Sequence, residues 1–287
     1  MKIFRILIIS FLIISISEYS CAEEVIKRTA VFNQQWLKAL VSIEIIQTNG
    51  KAKPIGTGFL VITPNNHIAL VTAKHVVYSD KGKGPLKEKL SYRLNDSKGK
   101  SVLILDEYAT NYLKSGWFPS EKYDLACRLI VRIGTADLVQ IPYSVFLSAE
   151  NVQAGAPLFI IGFPLGMRSE EYATPIVRHA MVARSDSDNI IVDGFVFPGN
   201  SGGPVIYEPS TQLGKMFKTP ILQGDWIIGM VVSEISYVEA AISAQTGRAR
   251  VTFEDNTGLC NVIPANLILD HLNSPEFQKH DKDISIK

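Results

Sequence analysis

Residues 197–204 read Phe-Pro-Gly-Asn-Ser-Gly-Gly-Pro, which places one serine among three glycines and between two prolines. Glycine permits backbone conformations that a Cβ forbids, so the amide groups of this segment can approach a substrate and the Ser201 hydroxyl can stand clear of the chain. The same residue types are also common in turns between strands. The segment by itself is therefore compatible with a turn between strands or with a loop that presents a nucleophilic serine. Residues elsewhere in the sequence are needed to distinguish the two.

Two residues that could activate Ser201 stand beside apolar runs. Residues 68–72, Ile-Ala-Leu-Val-Thr, predict a buried strand that leads to His75, and residues 125–131 form a second apolar run directly after Asp124. A serine hydroxyl is a weak nucleophile until a neutral imidazole takes its proton, and a carboxylate holds that imidazole in the required tautomer. The chain thus carries the three residue types of a serine hydrolase, spread over well over a hundred residues.

Five fragments resemble the chymotrypsin-like serine peptidases, in particular the compact bacterial branch that includes HtrA-type and glutamyl-endopeptidase-type enzymes. They follow the family order and are residues 56–61, 72–77, 123–126, 199–204 and 228–233. The resemblance implies an all-β fold of two six-stranded antiparallel barrels with a C-terminal helix. It places the active site in the cleft between the barrels.

The resemblance also implies a role for each site residue. His75 would be the general base, Asp124 its orienting carboxylate and Ser201 the nucleophile, while the backbone amides of Gly199 and Ser201 would form the oxyanion hole. The expected activity is that of a serine endopeptidase that works through an acyl-enzyme intermediate without a cofactor. Asn200 departs from trypsin, which has an aspartate before the nucleophile, so activation by an ion pair with a newly freed N-terminus is not expected.

Other interpretations of these residues remain open. Asp106 is an alternative acid, because it also follows an apolar run, at residues 102–105. The Gly-x-Ser-x-Gly pattern around Ser201 also fits the nucleophile elbow of an α/β-hydrolase esterase, in which His271 would have to act as the base. A third possibility is a catalytically inactive fold that serves as a binding or scaffold protein.

Two residues bear on the cleavage specificity. Ungapped alignment from the nucleophile places Phe195 where trypsin has the aspartate that binds basic side chains, which disfavours a charged pocket of the trypsin type. Glutamyl-specific relatives use a histidine on the strand before the serine, and His179 is the candidate in that region. Small apolar and glutamyl preferences both stay open.

The resemblance implies a protein or peptide substrate, and the composition and charge argue against an electrostatic partner. The 287 residues are 46% hydrophobic and 20% charged, with a formal net charge of +1, which is typical of a globular protein. Nucleic acid is disfavoured, because the densest basic run, Lys81, Lys83, Lys87 and Lys89, is short and is interpreted as a solvated loop. No pair of Cys or His residues has metal-ligand spacing, so no metal is expected.

Short apolar segments separated by turn residues dominate the chain and predict an all-β protein. We expect strands at residues 41–46, 59–62, 68–72, 102–105, 125–133, 158–163, 176–183, 190–197, 205–207, 226–233 and 250–253. Helices are expected at residues 27–40 and 264–272. The predicted organisation is a signal peptide at 1–22, a half with His75 and Asp124 at 23–145, a half with Ser201 and the C-terminal helix at 146–272, and a polar tail at 273–287, too short for a PDZ module.

The N-terminal residues indicate export to the periplasm or secretion. A short basic region precedes the apolar residues 6–16, and small residues follow at the positions where a signal peptidase cleaves, so the mature chain would begin at Glu23. Cys21 leaves a lipid-anchored form as a minority alternative. Removal of residues 1–22 would leave Cys127 and Cys260, which we expect to be unpaired.

Overall fold

The computed structural model describes residues 32–131, 134–169, 171–207 and 225–284. The chain divides into two compact units, Met1–Gln34 and Gln35–Lys287, and nearly every described residue belongs to the second. The expected signal peptide and Cys21 lie outside the described residues. Of the helix expected at residues 27–40, the described part holds a 3-10 helix at Gln34–Ala39.

The first half of the described chain folds into an antiparallel sheet. Its strands are β1 (Leu40–Ile46), β2 (Ala52–Ile62), β3 (Ile68–Thr72), β4 (Leu90–Asn95), β5 (Ser101–Leu105), β6 (Trp117–Pro119) and β7 (Ala126–Ile130). They are arranged in the order β5-β4-β1-β2-β3-β7-β6. The central strand β2 buries residues 56–61 between its two neighbours.

This sheet has seven strands where six were expected from the family resemblance. The sequence patterns did not predict β4 or β6. Polar and apolar residues are mixed in β4, and β6 has only three residues, so neither presents a continuous apolar run. Pairing with β1 and with β7 recruits them to the sheet.

The second half forms a closed six-stranded antiparallel barrel, as predicted. Its strands are β8 (Pro157–Gly162), β9 (Ile176–Ser185), β10 (Ile190–Asp193), β11 (Pro204–Tyr207), β12 (Trp226–Ile242) and β13 (Ala249–Pro264). The barrel order is β10-β13-β12-β11-β8-β9. Aliphatic side chains fill its interior, among them Leu158, Ile160, Val182, Val192, Val205 and Val262. The all-β fold prediction is confirmed.

Helices are few and short. They are α1 (Lys74–Val77), α2 (Ser79–Gly82), α3 (Asp106–Leu113), α4 (Ala265–Leu272) and α5 (Pro275–Asp283), with 3-10 turns at Tyr143–Val145, Ala149–Asn151 and Pro164–Gly166. The C-terminal helix expected at residues 264–272 is confirmed as α4.

Helix α5 lies in the segment expected to be a polar tail. The Ser274 hydroxyl accepts a hydrogen bond from the Phe277 N–H, and Pro275 occupies the first helical turn, which together form a helix start. Phe277 is fully buried and packs edge-on against Phe118, with ring centroids 5.4 Å apart. The buried ring of Phe277 therefore anchors this otherwise polar helix to Phe118 of β6.

A buried carboxylate also ties α5 to the first sheet. Asp281 accepts hydrogen bonds from the Thr63 hydroxyl at 2.7 Å and from the Asn65 amide at 2.7 Å, and it contacts His67 Nδ1 at 2.9 Å. All three partners lie at or beyond the end of β2, in the turn that leads to β3. These contacts hold the last described helix against the turn between β2 and β3.

A second buried carboxylate joins the two halves. Glu44 in β1 is fully buried and contacts Arg93 in β4 and Arg168, which follows β8, with each Nε–Oε1 distance 2.8 Å. Buried charges are tolerated when paired and hydrogen-bonded. The two guanidinium groups meet this requirement.

Both cysteines of the described chain are buried and free. Burial raises the pKa of the Cys127 thiol well above its ordinary value and the pKa of Cys260 to about 12. Because neither cysteine forms a disulfide in the structure, the expectation that the two thiols are unpaired is confirmed. Separately, none of the helices in the described ranges has the length and apolar character that crossing a bilayer requires.

Candidate active site

Strand pairing brings His75 and Asp124 together. Thr72 at the end of β3 lies opposite Ala126 at the start of β7. His75 follows Thr72 by three residues and Asp124 precedes Ala126 by two, so both side chains emerge at the same end of the strand pair. A sequence separation of 49 residues is thus reduced to a direct contact.

Asp124 holds His75 at two points. Its Oδ2 lies 2.6 Å from His75 Nδ1, and its Oδ1 accepts the backbone N–H of His75 at 2.9 Å. Burial raises the pKa of Asp124, but the hydrogen bonds and charge of His75 outweigh it, so the pKa lies below its ordinary value of 3.8. The carboxylate is therefore ionised near neutral pH and can hold the imidazole with Nδ1 protonated, which leaves Nε2 as a base.

Lys87 supports the helical turn that carries His75. Its ammonium group donates hydrogen bonds to the carbonyl oxygens of His75 at 2.8 Å and of Val76 at 2.9 Å. Burial lowers the pKa of Lys87 below its ordinary value. The basic run was interpreted as a solvated loop, and this one lysine departs from that interpretation because its ammonium group binds the backbone of α1.

The serine segment forms a tight turn. The N–H of Asn200 donates to the carbonyl of Phe197 at 2.9 Å, and Pro198 and Gly199 are the two central residues. Gly199 has a φ of +104°, and a Cβ there would collide with the backbone oxygen of Phe163. Proline followed by glycine at positive φ is the pattern of a type II turn, so the local sequence itself favours this conformation.

The orientation of the Pro198–Gly199 peptide decides where the Gly199 amide points. The Pro198 carbonyl accepts a hydrogen bond of 2.6 Å from the Leu165 N–H. The N–H of a trans peptide points opposite to its carbonyl, so the Gly199 N–H faces away from Leu165. Within the described ranges, neither the Gly199 nor the Ser201 N–H donates to a backbone acceptor.

Thr57 in β2 links this turn to the first sheet. Its hydroxyl donates to the Gly199 carbonyl at 2.7 Å and accepts the Phe163 N–H at 3.0 Å, while its backbone N–H donates to the Ser201 carbonyl at 2.9 Å. Thr57 is fully buried. Sequence reasoning marked the fragment at residues 56–61 without assigning this residue a role.

One cavity of about 490 Å³ collects all three predicted residues, His75, Asp124 and Ser201. Its other lining residues are Lys81, Val196, Phe197, Pro198, Val231, Val232, Ser233 and Glu234. A larger cavity of about 710 Å³, lined by Leu86, Lys87 and Trp117 among others, contains none of the three. The chemistry of the lining therefore locates the candidate site better than cavity size does.

The Ser201 hydroxyl donates to the Val232 carbonyl at 3.0 Å. Across the described ranges, no hydrogen bond joins Ser201 to His75. The structure thus pairs the histidine with the carboxylate and places the serine in the same cavity, with its hydroxyl directed to the backbone of β12.

Asp106, the alternative acid, belongs to a different cluster. It pairs with the fully buried Arg128, accepts a hydrogen bond from the Tyr92 hydroxyl and accepts the Trp117 indole N–H at 3.0 Å. Its carboxylate compensates the charge of a buried guanidinium group. The structure does not bring Asp106 to His75.

The two residues considered for specificity, Phe195 and His179, are not among the residues that line the cavity. Phe195 is 50% exposed and lies beside Gly258. The ring of His179 packs edge-on against Phe159, with centroids 5.6 Å apart. Glu234, which sequence reasoning missed, lines the cavity and accepts a hydrogen bond of 2.8 Å from the Asn256 amide.

The surroundings of Ser201 do not form a nucleophile elbow, which needs a helix directly after the serine. The strand β11 begins at Pro204 instead. His271 lies in α4 with its Nε2 2.9 Å from the carbonyl oxygen of Phe118. The esterase interpretation therefore has no structural support. No cluster of three or more metal-binding side chains occurs among the described residues.

A family model described as "Trypsin-like peptidase domain" matches residues 56–212, which is more than half of the chain. The chain belongs to the trypsin-like peptidase family. The match includes His75, Asp124 and Ser201. A comparison with curated proteins finds no match.

The chain is also similar to several solved structures at low sequence identity. Human heparin binding protein is 13% identical over 85% of this chain and 95% of its own, with a TM-score of 0.51. The protease Anisep from Arthrobacter nicotinovorans is 12% identical over 84% of this chain and 96% of its own, with a TM-score of 0.50. An HtrA-type protease with a tripeptide is 15% identical over 82% of this chain, with a TM-score of 0.46, and the match spans 59% of its length.

Proposed function

We propose that this trypsin-like peptidase is a serine endopeptidase that cleaves peptide bonds of protein or peptide substrates through a Ser-His-Asp triad. The observation that carries the proposal is the 2.6 Å contact between His75 Nδ1 and Asp124 Oδ2 in the cavity that Ser201 also lines. In the neutral tautomer that donates its Nδ1 proton to Asp124, the second ring nitrogen of His75 is free to accept a proton. Ser201 is the hydroxyl that this nitrogen would serve.

In the proposed reaction, His75 Nε2 takes the proton of Ser201 as its Oγ attacks the substrate carbonyl. The developing oxyanion accepts hydrogen bonds from the N–H groups of Gly199 and Ser201, each worth about 2.7 to 4 kcal/mol in the transition state of a comparable peptidase. His75 then returns the proton to the leaving amine, and an acyl group remains on Ser201. Water, activated by the same histidine, releases it.

A serine-reactive phosphonate or sulfonyl fluoride tests the nucleophile. We expect the purified protein to be labelled once, at Ser201, and the Ser201→Ala variant to stay unlabelled. Ser233→Ala is the matched control, since Ser233 lines the same cavity and accepts a hydrogen bond from Asn261. Labelling that survives Ser201→Ala, or disappears in Ser233→Ala, would contradict the assignment. Digestion of a diverse peptide library then reads out cleavage preference.

A second candidate function is binding without catalysis. The observation that favours it is the hydrogen bond of the Ser201 hydroxyl to Val232 instead of His75. In catalysis this hydroxyl must turn toward the imidazole. A folded protein that neither takes the label nor cleaves any library peptide would support binding and exclude the peptidase.

We also propose that residues 1–22 direct export and are removed before Glu23. The basic start and the apolar residues 6–16 support the proposal. N-terminal sequencing of the exported protein should begin at Glu23. An intact Met1 would contradict it, and an acylated Cys21 at the new terminus would indicate a lipid anchor instead.

A further inference from the structure

The cavity that contains Ser201 is lined by two carboxylates, those of Asp124 and Glu234. Asp124 is bound to His75, whereas Glu234 forms no salt bridge within the described ranges. Glu234 is partly buried, and removing a charge from water without a counter-charge is costly. A cation that enters the cavity would therefore stabilise this carboxylate.

A bulge in β12 turns Glu234 toward the inner face of the barrel. Val231 lies opposite Val262, and after a register shift at residue 232 Glu234 lies opposite Cys260. Val231, Val262 and Cys260 all belong to the buried core of the barrel, and directly opposed side chains share one face of a sheet. Strict alternation from Val231, without the bulge, would place Glu234 on the outer face. The bulge therefore brings the carboxylate to the cavity.

Asn256 holds the carboxylate in place. Its side-chain amide donates to Glu234 Oε2 at 2.8 Å and to the carbonyl of Val196 at 2.8 Å, and its own oxygen accepts the Gly258 N–H at 2.9 Å. Val196 lines the same cavity. No donor among the described residues contacts the second oxygen, Oε1. The carboxylate is thus oriented through one oxygen while the other is left for a ligand.

The position of Ser201 indicates which part of a substrate would meet Glu234. In the proposed reaction His75 returns a proton to the leaving amine, so the amine side of the scissile bond lies next to His75. The Ser201 hydroxyl contacts the Val232 carbonyl at 3.0 Å. Glu234 follows Val232 by two residues, or roughly 7 Å along β12. The acyl side of the substrate, which stays bound to Ser201, therefore extends along this part of β12.

We propose that Glu234 is a specificity-determining residue that selects a lysine or arginine side chain on the acyl side of the scissile bond. The inference rests on the proposed peptidase function. An ammonium or guanidinium group that donates to Oε1 would form a charge-assisted hydrogen bond. A glutamyl side chain would meet a like charge, and an apolar side chain would leave the carboxylate unpartnered. The charge for this recognition comes from β12, because Phe195, before the serine, does not line the cavity.

Two diphenyl phosphonates that differ only in their side chain, lysine in one and norleucine in the other, test the proposal. Norleucine has the carbon chain of lysine without the ammonium group. We expect the lysine probe to label Ser201 about tenfold faster than the norleucine probe. In Glu234→Gln this ratio should fall close to one, although the new side chain can still accept the Asn256 hydrogen bond. The ratio is insensitive to a general loss of activity, because both probes react at the same serine.

The matched control is Glu239→Gln, which removes an exposed carboxylate from the same strand outside the cavity and should keep the ratio. A second variant, Glu234→Lys, should favour a phosphonate with a glutamyl side chain over the lysine probe. Equal labelling of the unreplaced protein by both probes would overturn the role of Glu234 and leave the proposed peptidase intact. So would a preference for lysine that survives in Glu234→Gln. Labelling by none of the probes would instead overturn the proposed function, and this inference with it.

Discussion

The carbonyl oxygen of Gly199 accepts a 2.7 Å hydrogen bond from the hydroxyl of Thr57, a residue 142 positions earlier in the chain. The same hydroxyl accepts the Phe163 N–H at 3.0 Å. A single buried side chain of β2 therefore holds both the serine turn and the segment that leads to Leu165. These contacts hold the Gly199–Asn200 peptide and the segment whose Leu165 N–H binds the Pro198 carbonyl, so they support from both sides the Pro198–Gly199 peptide, whose N–H is the proposed oxyanion donor.

Replacing Thr57 by valine should impair catalysis without weakening substrate binding. Valine keeps the shape of threonine but offers no hydroxyl, so the Gly199 carbonyl and the Phe163 N–H both lose their partner and the intervening Pro198–Gly199 peptide is held less firmly with its N–H toward the oxyanion. We expect kcat to fall about tenfold to a hundredfold, with KM nearly unchanged. Thr57→Ser, which retains the hydroxyl, is the control and should keep most of the activity. Equal kcat values for the valine and serine variants would contradict the role.

Replacing each of the two aspartates, Asp124 and Asp106, by asparagine should have different effects, on catalysis in the first case and on stability in the second. Asp124→Asn leaves the imidazole in the wrong tautomer, and we expect kcat to fall about 10,000-fold. Asp106→Asn weakens a contact to buried Arg128 and should lower the melting temperature while kcat of the folded fraction stays near wild type. Parallel kinetics and thermal melting check both. A comparable loss of kcat in the two variants would refute the assignment of Asp124.

Asp124 should also leave a signature in the pH dependence of stability. Its pKa in the folded protein lies below the ordinary value of 3.8, so its contribution is complete above that pH and is lost as the pH falls through the folded pKa. The difference in unfolding free energy between wild type and Asp124→Asn should therefore shrink at acid pH. Urea titrations on both sides of pH 3.8 measure it. A difference that does not vary with pH would show that the folded pKa is not lowered.

Neither thiol of the described chain should react in the folded protein. Both Cys127 and Cys260 are buried, and burial raises the pKa of each, so little thiolate is present and reagents lack access. In a Cys21→Ser background, an aromatic disulfide reagent should modify no thiol in native buffer and both thiols in denaturant. Rapid modification before unfolding would contradict the burial, and no modification after it would indicate a disulfide.

Local sequence patterns predicted most strands and the positions of the proposed triad. Apolar runs report burial directly, and His75 and Asp124 stand at the ends of such runs, where strand pairing later joins them. The start of α5 was also visible, as Ser274 before Pro275, but the polar composition around one buried phenylalanine hid it.

Long-range contacts could not be predicted in this way. Lys87 has the same local surroundings as its neighbouring lysines, and only the packing of its segment against α1 distinguishes it. Thr57 gains its role from a turn in the other half of the chain. Strand β12 was expected to end at residue 233, because residues 234–242 mix polar and apolar side chains, and only the pairing with β13 reveals that the strand continues to Ile242.

The contacts of Asp281 have a consequence for synthesis of the protein. Its partners Thr63, Asn65 and His67 emerge from the ribosome more than two hundred residues earlier. The amino-terminal half of a nascent chain usually folds first, but here its β2–β3 turn lacks these contacts until α5 has been translated. Nascent chains that stop before residue 281 should therefore be open at this turn and vulnerable to cellular quality-control proteases, whereas chains that include α5 are closed there.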